Sequence, residues 1–186
     1  MAKKPEEQIL VERFRQGDDS AFDRIVERHA ADIAALANRL LGWPQDVDDV
    51  VQEVFLAAFT GLKTFRGDCR LRSWLFIITI NKCRHHRRRL SRRRSIRIDE
   101  AAPSLYLNEN AEMVAIDTES FTQVRRAVRA LPAKYREVVV LRYLEGLETL
   151  DICRILSITT NTLNVRLNRA RKRLRNDLSE LVRETV

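Results

Sequence analysis

Two blocks of helical apolar periodicity, separated by a stretch in which the period is lost, constrain this chain more than any other feature. In the first block Phe22, Ile25, Val26, His29, Ile33, Leu36 and Leu40 recur at steps of three and four, one helix face turned to a core. That helix is expected to start near Asp19, after Gly17 as a C′ glycine, and to stop at Gly42 and Pro44. A third helix carries Val47, Val50, Val51, Val54, Phe55 and Ala58 from about Asp46 to Thr60. A fourth begins near Leu71, with Asp68 as its cap, and runs through Trp74, Leu75 and Ile78 into an arginine run. Between Ser95 and Asp117 the period fails, and Pro103, Asn108 and Asn110 supply turn formers. From Thr118 it returns over Phe121–Leu131, Tyr135–Leu144 (ended by Gly146), Leu150–Leu156, and a last helix with Leu163, Leu167, Ala170, Leu174, Leu178 and Leu181. Five Gly and four Pro in 186 residues are too few for a turn-rich β protein. The expected fold is all-α: two helical domains, 1–94 and 118–186, joined by a flexible linker, 95–117, with a helix-turn-helix in the second.

Charge is distributed in blocks. The net charge is +8, built from −2 over residues 1–81, +9 over 82–97, −6 over 98–124 and +7 over 125–186. The basic excess points to a polyanionic partner. The longest largely apolar stretch, Trp74 to Ile80, is far short of the roughly 20 residues that span a bilayer. The opening Met1-Ala-Lys-Lys-Pro does not resemble a signal peptide. A cytoplasmic protein without membrane insertion is expected. Cys69, Cys83 and Cys153 are odd in number and form no CxxC pair, so neither a disulfide framework nor a zinc finger is encoded, and reduced thiols are expected.

Three segments carry chemistry. From Leu147 to Leu174 a short helix, a tight turn at Ser157-Ile158 and a longer basic helix capped by Thr159 have helix-turn-helix spacing, whose second helix enters the major groove. With Leu163, Leu167, Ala170 and Leu174 facing the core, the outward candidates are Asn161, Thr162, Asn164, Val165, Arg166, Asn168, Arg169 and Lys172. Asn pairs bidentately with adenine and Arg with guanine. A merely solvated face is the alternative. Against it, Ile152 to Asn176 contains seven Lys or Arg and no acidic residue.

The second segment places nine cations from Lys82 to Arg97 at the end of an apolar helix, a sequence-blind phosphate binder. Phe65, Trp74 and Asn81 near its start add aromatic surface and an amide suited to unstacked bases. Lys82, Arg84, Arg87 and Arg88 would hold the strand, while Trp74 also fits a plain core role. The third segment, Asp46, Asp49 and Glu53 with Asp48 and Gln52, stands opposite the Val47/Val50/Val54 stripe. It reads as a protein-docking or solvated face. As a magnesium site of a nuclease it lacks partners, because such carboxylates usually converge from different elements beside a catalytic His or Lys. Cys83-Arg84-His85-His86 lacks a fourth metal ligand and sits among cations. No enzyme activity, metal, cofactor or small-molecule substrate is expected.

These segments together resemble the extracytoplasmic-function (ECF) sigma factors of bacterial RNA polymerase, over nearly the whole chain. Leu10-Val-Glu-Arg-Phe-Arg-Gln-Gly-Asp-Asp-Ser-Ala-Phe22 is similar to the family's opening, Asp46-Val-Asp-Asp-Val-Val-Gln-Glu-Val-Phe55 to its polymerase-docking helix, and Phe65-Arg-Gly-Asp-Cys-Arg-Leu-Arg-Ser-Trp-Leu75 with Asn81 to its melting segment. Leu131-Pro-Ala-Lys-Tyr-Arg-Glu-Val-Val-Val-Leu-Arg142 and Arg166-Leu-Asn-Arg-Ala-Arg-Lys-Arg-Leu174 are similar to its −35-reading domain. The resemblance implies sigma regions 2 and 4 with no further domain, and core polymerase (β′ clamp helices and β subunit) and promoter DNA as partners. It also implies −10 strand capture at Phe65, Trp74 and Asn81, an acidic linker threading toward the polymerase active site, and an anti-sigma factor. The chain departs from the pattern at Leu150-Asp-Ile-Cys153, where the family usually has Glu-Glu-Ile-Ala, and at Ser157, where it has Gly. A serine there costs more than glycine if the turn is left-handed.

Overall fold

The computed structural model describes residues 6–42, 46–97 and 119–184. The helices α1 (Glu6–Arg15), α2 (Ser20–Leu41), α3 (Val47–Leu62) and α4 (Leu71–Arg97) are followed by α5 (Glu119–Ala130) and α6 (Ala133–Val139). A π-helical turn (Val140–Leu144), α7 (Thr149–Leu156) and α8 (Thr160–Glu184) complete the order. No strand occurs among the described residues.

The ends of these helices follow local chemistry. Gly17 sits at φ 94° after α1, and Asp18 organises the next start: it accepts from Ser20 Oγ at 2.5 Å and from Arg13 Nε at 2.8 Å. The Ser20 bond first, and then Arg13, hold its carboxyl below the usual range. α2 closes on Gly42, φ 76°, whose N–H bonds the Asn38 carbonyl at 2.9 Å, a left-handed cap that favours glycine. α4 corrects the expected cap. The Trp74 N–H donates to the Arg70 carbonyl at 3.1 Å, so Arg70, not Asp68, precedes its first turn. α4 also runs to Arg97, three residues into the expected linker; the rest of that acidic segment, 98–117, lies outside the described residues. The single helix expected over Tyr135–Leu144 divides at Val140, where the Glu145 N–H bonds the Val140 carbonyl at 2.9 Å, a five-residue step that widens the last turn before Gly146 (φ 63°).

In the first set α2, α3 and α4 pack pairwise and α1 lies against α2. Ile25, Ile33, Leu36, Leu40, Leu62, Leu75, Phe76 and Ile80 are buried almost completely, each contributing about 1.5–3 kcal/mol by leaving water. Phe14, Phe22 and Phe59 form a triangle with ring centroids 5.1–5.5 Å apart. In the second set Leu131, Tyr135, Val139 and Ala170 pack α6 on α8. The two sets also touch: α7 lies on α4, and Val138, Leu141, Ile152, Ile155 and Leu163 belong to the same continuous buried cluster as the first four helices. The linker reading allows separate bodies; in this conformation they share apolar surface.

Candidate nucleic-acid and protein interface

Helix α3 buries Val47, Val50, Val54, Phe55, Ala58 and Leu62, which leaves Asp48, Asp49 and Gln52 exposed and Asp46 and Glu53 half-buried. The latter two turn toward α4: Asp46 Oδ2 lies 3.0 Å from His86 Nε2 and Glu53 Oε2 lies 3.4 Å from Lys82 Nζ. The carboxylates therefore do not converge on one point. Among the described residues no group of three or more His, Cys, Asp or Glu gathers as a metal site. Leu56, 62% exposed, stands one turn beyond Gln52 and Glu53, on the same face as Asp49. It is an exposed apolar side chain inside an acidic surface, which the charge pattern alone does not single out.

At the start of α4 the candidates for strand capture separate into layers. Phe65 lines an open cavity of about 340 Å³, within the roughly 300–1,000 Å³ of small-ligand clefts. Arg15, Arg66 and Arg70 line the same cavity, with Glu7 and Glu12 from α1. Arg15 donates to the Phe65 carbonyl and so braces the loop, which turns at Gly67 (φ 79°). Trp74 stands behind: its ring lies 5.1 Å from that of Phe65, and a Cβ on Gly61 would come within 3.0 Å of it. Asn81 is exposed, ten residues beyond Leu71 and hence about 15 Å along the helix from the cavity. Of the cations, Lys82 pairs with Glu53, Arg88 is exposed, and Arg84 and Arg87 both reach Glu137 of α6. The cavity arginines belong to a loop shape that no periodicity reports; their nearest sequence signal is the polar run Arg66-Gly67-Asp68-Cys69-Arg70 beside two aromatics.

The helix-turn-helix is formed by α7, a turn and α8. Ser157 occupies the left-handed region at φ 54°, ψ 49°, the conformation for which the family's glycine is suited. Thr159 Oγ1 accepts the Thr162 N–H at 3.2 Å and lies 2.9 Å from Thr162 Oγ1, so Thr162 serves the cap. Leu163, Leu167 and Ala170 are buried, which turns Asn161, Val165, Asn168 and Lys172 outward at steps of four, three and four; all four are exposed, as is Asn164. Arg166 is half-buried at the flank. Arg169 hydrogen-bonds the Tyr135 hydroxyl and pulls that phenol below its ordinary pKa, and Arg171 donates to Tyr143 Oη at 2.6 and 2.8 Å and to Asn168 Oδ1 at 3.3 Å. The two tyrosines thus steer arginines along the helix flanks.

Two of the three thiols are held in their protonated form by burial. Burial pushes Cys83 up to about 12 and also raises Cys69. No helix among the described residues is long and apolar enough to cross a membrane.

Comparison with known proteins converges on one family. The family model for sigma-70 region 2 matches residues 25–93, and that for sigma-70 region 4 matches residues 121–174. The ECF RNA polymerase sigma-E factor of Escherichia coli (strain K12) is 32% identical over 98% of this chain and its own full length. The RNA polymerase sigma-H factor of Pseudomonas aeruginosa is 31% identical over 99% of this chain and its own full length. Among solved structures, CnrH in complex with the cytosolic domain of CnrY superimposes with a TM-score of 0.68 at 28% identity, covering 94% of this chain and 97% of that one. Bartonella quintana RpoE shares the fold, with a TM-score of 0.72 at 22% identity over 85% of this chain and 96% of its own. With both family regions matched in order and relatives aligned end to end, the chain belongs to the ECF group of sigma-70-family RNA polymerase sigma factors, non-enzymatic proteins of transcription initiation.

Proposed function

We propose that this sigma factor docks on core polymerase through the outward face of α3, reads a −35 element as duplex with α8, and captures the unpaired −10 non-template strand along the loop before α4 and the cations of α4. The single observation carrying the strand reading is the cavity of Phe65, Arg15, Arg66 and Arg70: an aromatic face for a base, with three arginines for its phosphates set against Glu7 and Glu12 of α1. Asp48, Asp49, Gln52 and Leu56 supply the docking surface, an acidic rim that orients encounter around an apolar centre. Asn161, Asn164, Val165 and Asn168 are the base-facing set, with Arg169 and Lys172 on phosphates. The protein works in the cytoplasm with polymerase. CnrH, solved with the cytosolic domain of CnrY, supports a protein partner for this chain as well, which the family resemblance reads as an anti-sigma factor. The deciding experiment is run-off transcription with purified core enzyme on a genomic promoter library, with permanganate mapping of unpaired thymines. Expected are transcripts from a discrete promoter set, with reactivity at −10 that requires the protein. Failure to redirect core enzyme to any promoter would refute the reading.

A further inference from the structure

Region 4 is tied to region 2 by two buried carboxylates. Glu137, 3% exposed, accepts from Arg84 Nε at 3.0 Å and Arg84 Nη2 at 2.7 Å, and from Arg87 Nη2 at 3.0 Å. Glu145 follows the π turn. Its side chain is 4% exposed and pairs with Arg39 and, at 3.0 Å, with Arg72. Arg72 is itself fixed by Asp32 at 2.7 Å and by lying over the Phe76 ring, 4.4 Å from its centroid. A backbone tie runs the other way: Arg136 Nη1 donates to the Leu40 carbonyl at 2.7 Å. Four arginines of region 2 thus meet two glutamates of region 4, with residue separations of 50 to 106 along the chain.

We propose that Glu137 and Glu145 form a latch that closes region 4 onto region 2, and that the closed form withholds Arg84 and Arg87 from the −10 strand while leaving the −35-reading face open. The second clause rests on the strand-holding role given above to Arg84 and Arg87. A carboxylate and a phosphate present the same paired oxygens to a guanidinium fork, so Glu137 occupies the donors that strand phosphates would take. The outward residues of α8 and the docking residues Asp48, Asp49 and Gln52 are exposed in this same conformation. Closure thus gates one contact and spares two. The latch is suited to reversal, because desolvation largely offsets the attraction within buried pairs, whereas opening hydrates both partners.

The test uses the full chain carrying Cys69→Ser, Cys83→Ala and Cys153→Ser, with dyes attached at Glu27→Cys on α2 and Arg175→Cys on α8, and reads their distance by energy transfer. The parent should be compact at about 50 mM salt, since pairs this buried are screened far less than exposed ones. Adding Glu137→Gln with Glu145→Gln should expand it at low salt with helical circular dichroism retained. An oligo(dT) single strand, followed by anisotropy, should then bind about tenfold tighter to the Gln variant, the gain expected if about nine molecules in ten were closed before. Adding Arg84→Ala and Arg87→Ala should erase that gain. A parent already expanded at low salt overturns the latch without reference to any variant's folding, and so does a folded Gln variant that stays compact. Expansion with oligo(dT) binding that ignores Arg84 and Arg87 supports the latch and overturns the strand-holding reading alone.

Discussion

Ser157 carries a conformational cost that its sequence position announced. At φ 54° a side chain with a Cβ is strained by roughly 1–2 kcal/mol, which glycine would avoid at some expense in unfolded-chain entropy. Ser157→Gly is expected to raise stability by up to about 0.5 kcal/mol, and Ser157→Val to lower it by about 1–3 kcal/mol, both read from urea midpoints at unchanged slope. A lower midpoint for the glycine variant would contradict the assigned turn. Cys83 shows the reverse case, where the residue type was evident and its burial was not. Fully buried, with its thiol raised to about 12, it should resist iodoacetamide in the native protein at pH 8, while half-buried Cys153 reacts first. Labelling at Cys83 without unfolding, detected by mass spectrometry, would count against this core. Serine at this position would bury a hydroxyl, so alanine is the appropriate replacement for function tests.

At the scale of elements, the helices were legible because an apolar residue every three or four positions permits little else. The spacing of Leu163, Leu167 and Ala170 marks the buried side of α8, and the opposite side follows by geometry. What the pattern could not carry was pairing between elements: nothing local says that Glu137 receives Arg84 or that Asp46 turns to His86. Nor does periodicity reveal the π turn at Val140 or the cavity of Arg15 and Arg66, since each depends on chain segments meeting in space. For α3 the expected consequence is specific. Asp49→Arg should slow association with core polymerase, most at low salt, whereas Leu56→Ala should weaken binding by more than about 1 kcal/mol, mainly through dissociation, as for a central apolar anchor. Surface-plasmon kinetics on immobilised core enzyme would read both; unchanged dissociation for Leu56→Ala would remove it from the docking face. For α8, alanine at Asn161 or Asn168 should relax preference at one base at a cost of about 1–3 kcal/mol. Alanine at Lys172 should instead weaken all sequences alike and shallow the salt slope by roughly one. Selection from a randomised −35 duplex separates the two classes.

On the scale of the whole molecule, the proposed initiation chemistry needs a source of energy for strand separation. The subunit hydrolyses nothing, and in the proposed reading opening is driven by binding an extruded base more tightly than the duplex holds it. Unstacking costs a few kcal/mol, within reach of one aromatic stack, worth about 1–3 kcal/mol, together with phosphate contacts. These parts follow one another along α4: the cavity of Phe65 at its start, Asn81 exposed farther along, then Arg84, Arg87 and Arg88. A strand entering the cavity and following α4 would pass the amide before meeting the cations. Phe65→Ala is therefore expected to slow opening of a duplex promoter about tenfold, the factor that 1.4 kcal/mol represents, with core binding and −35 affinity intact. Asn81→Ala should reduce opening less, because the amide guides the strand without enclosing a base. A template already mismatched across −10 should restore both variants, since melting is no longer required of them. Permanganate reactivity on duplex and mismatched templates measures each quantity; if Phe65→Ala opens the duplex as readily as the parent, the base is captured elsewhere and the cavity has another use.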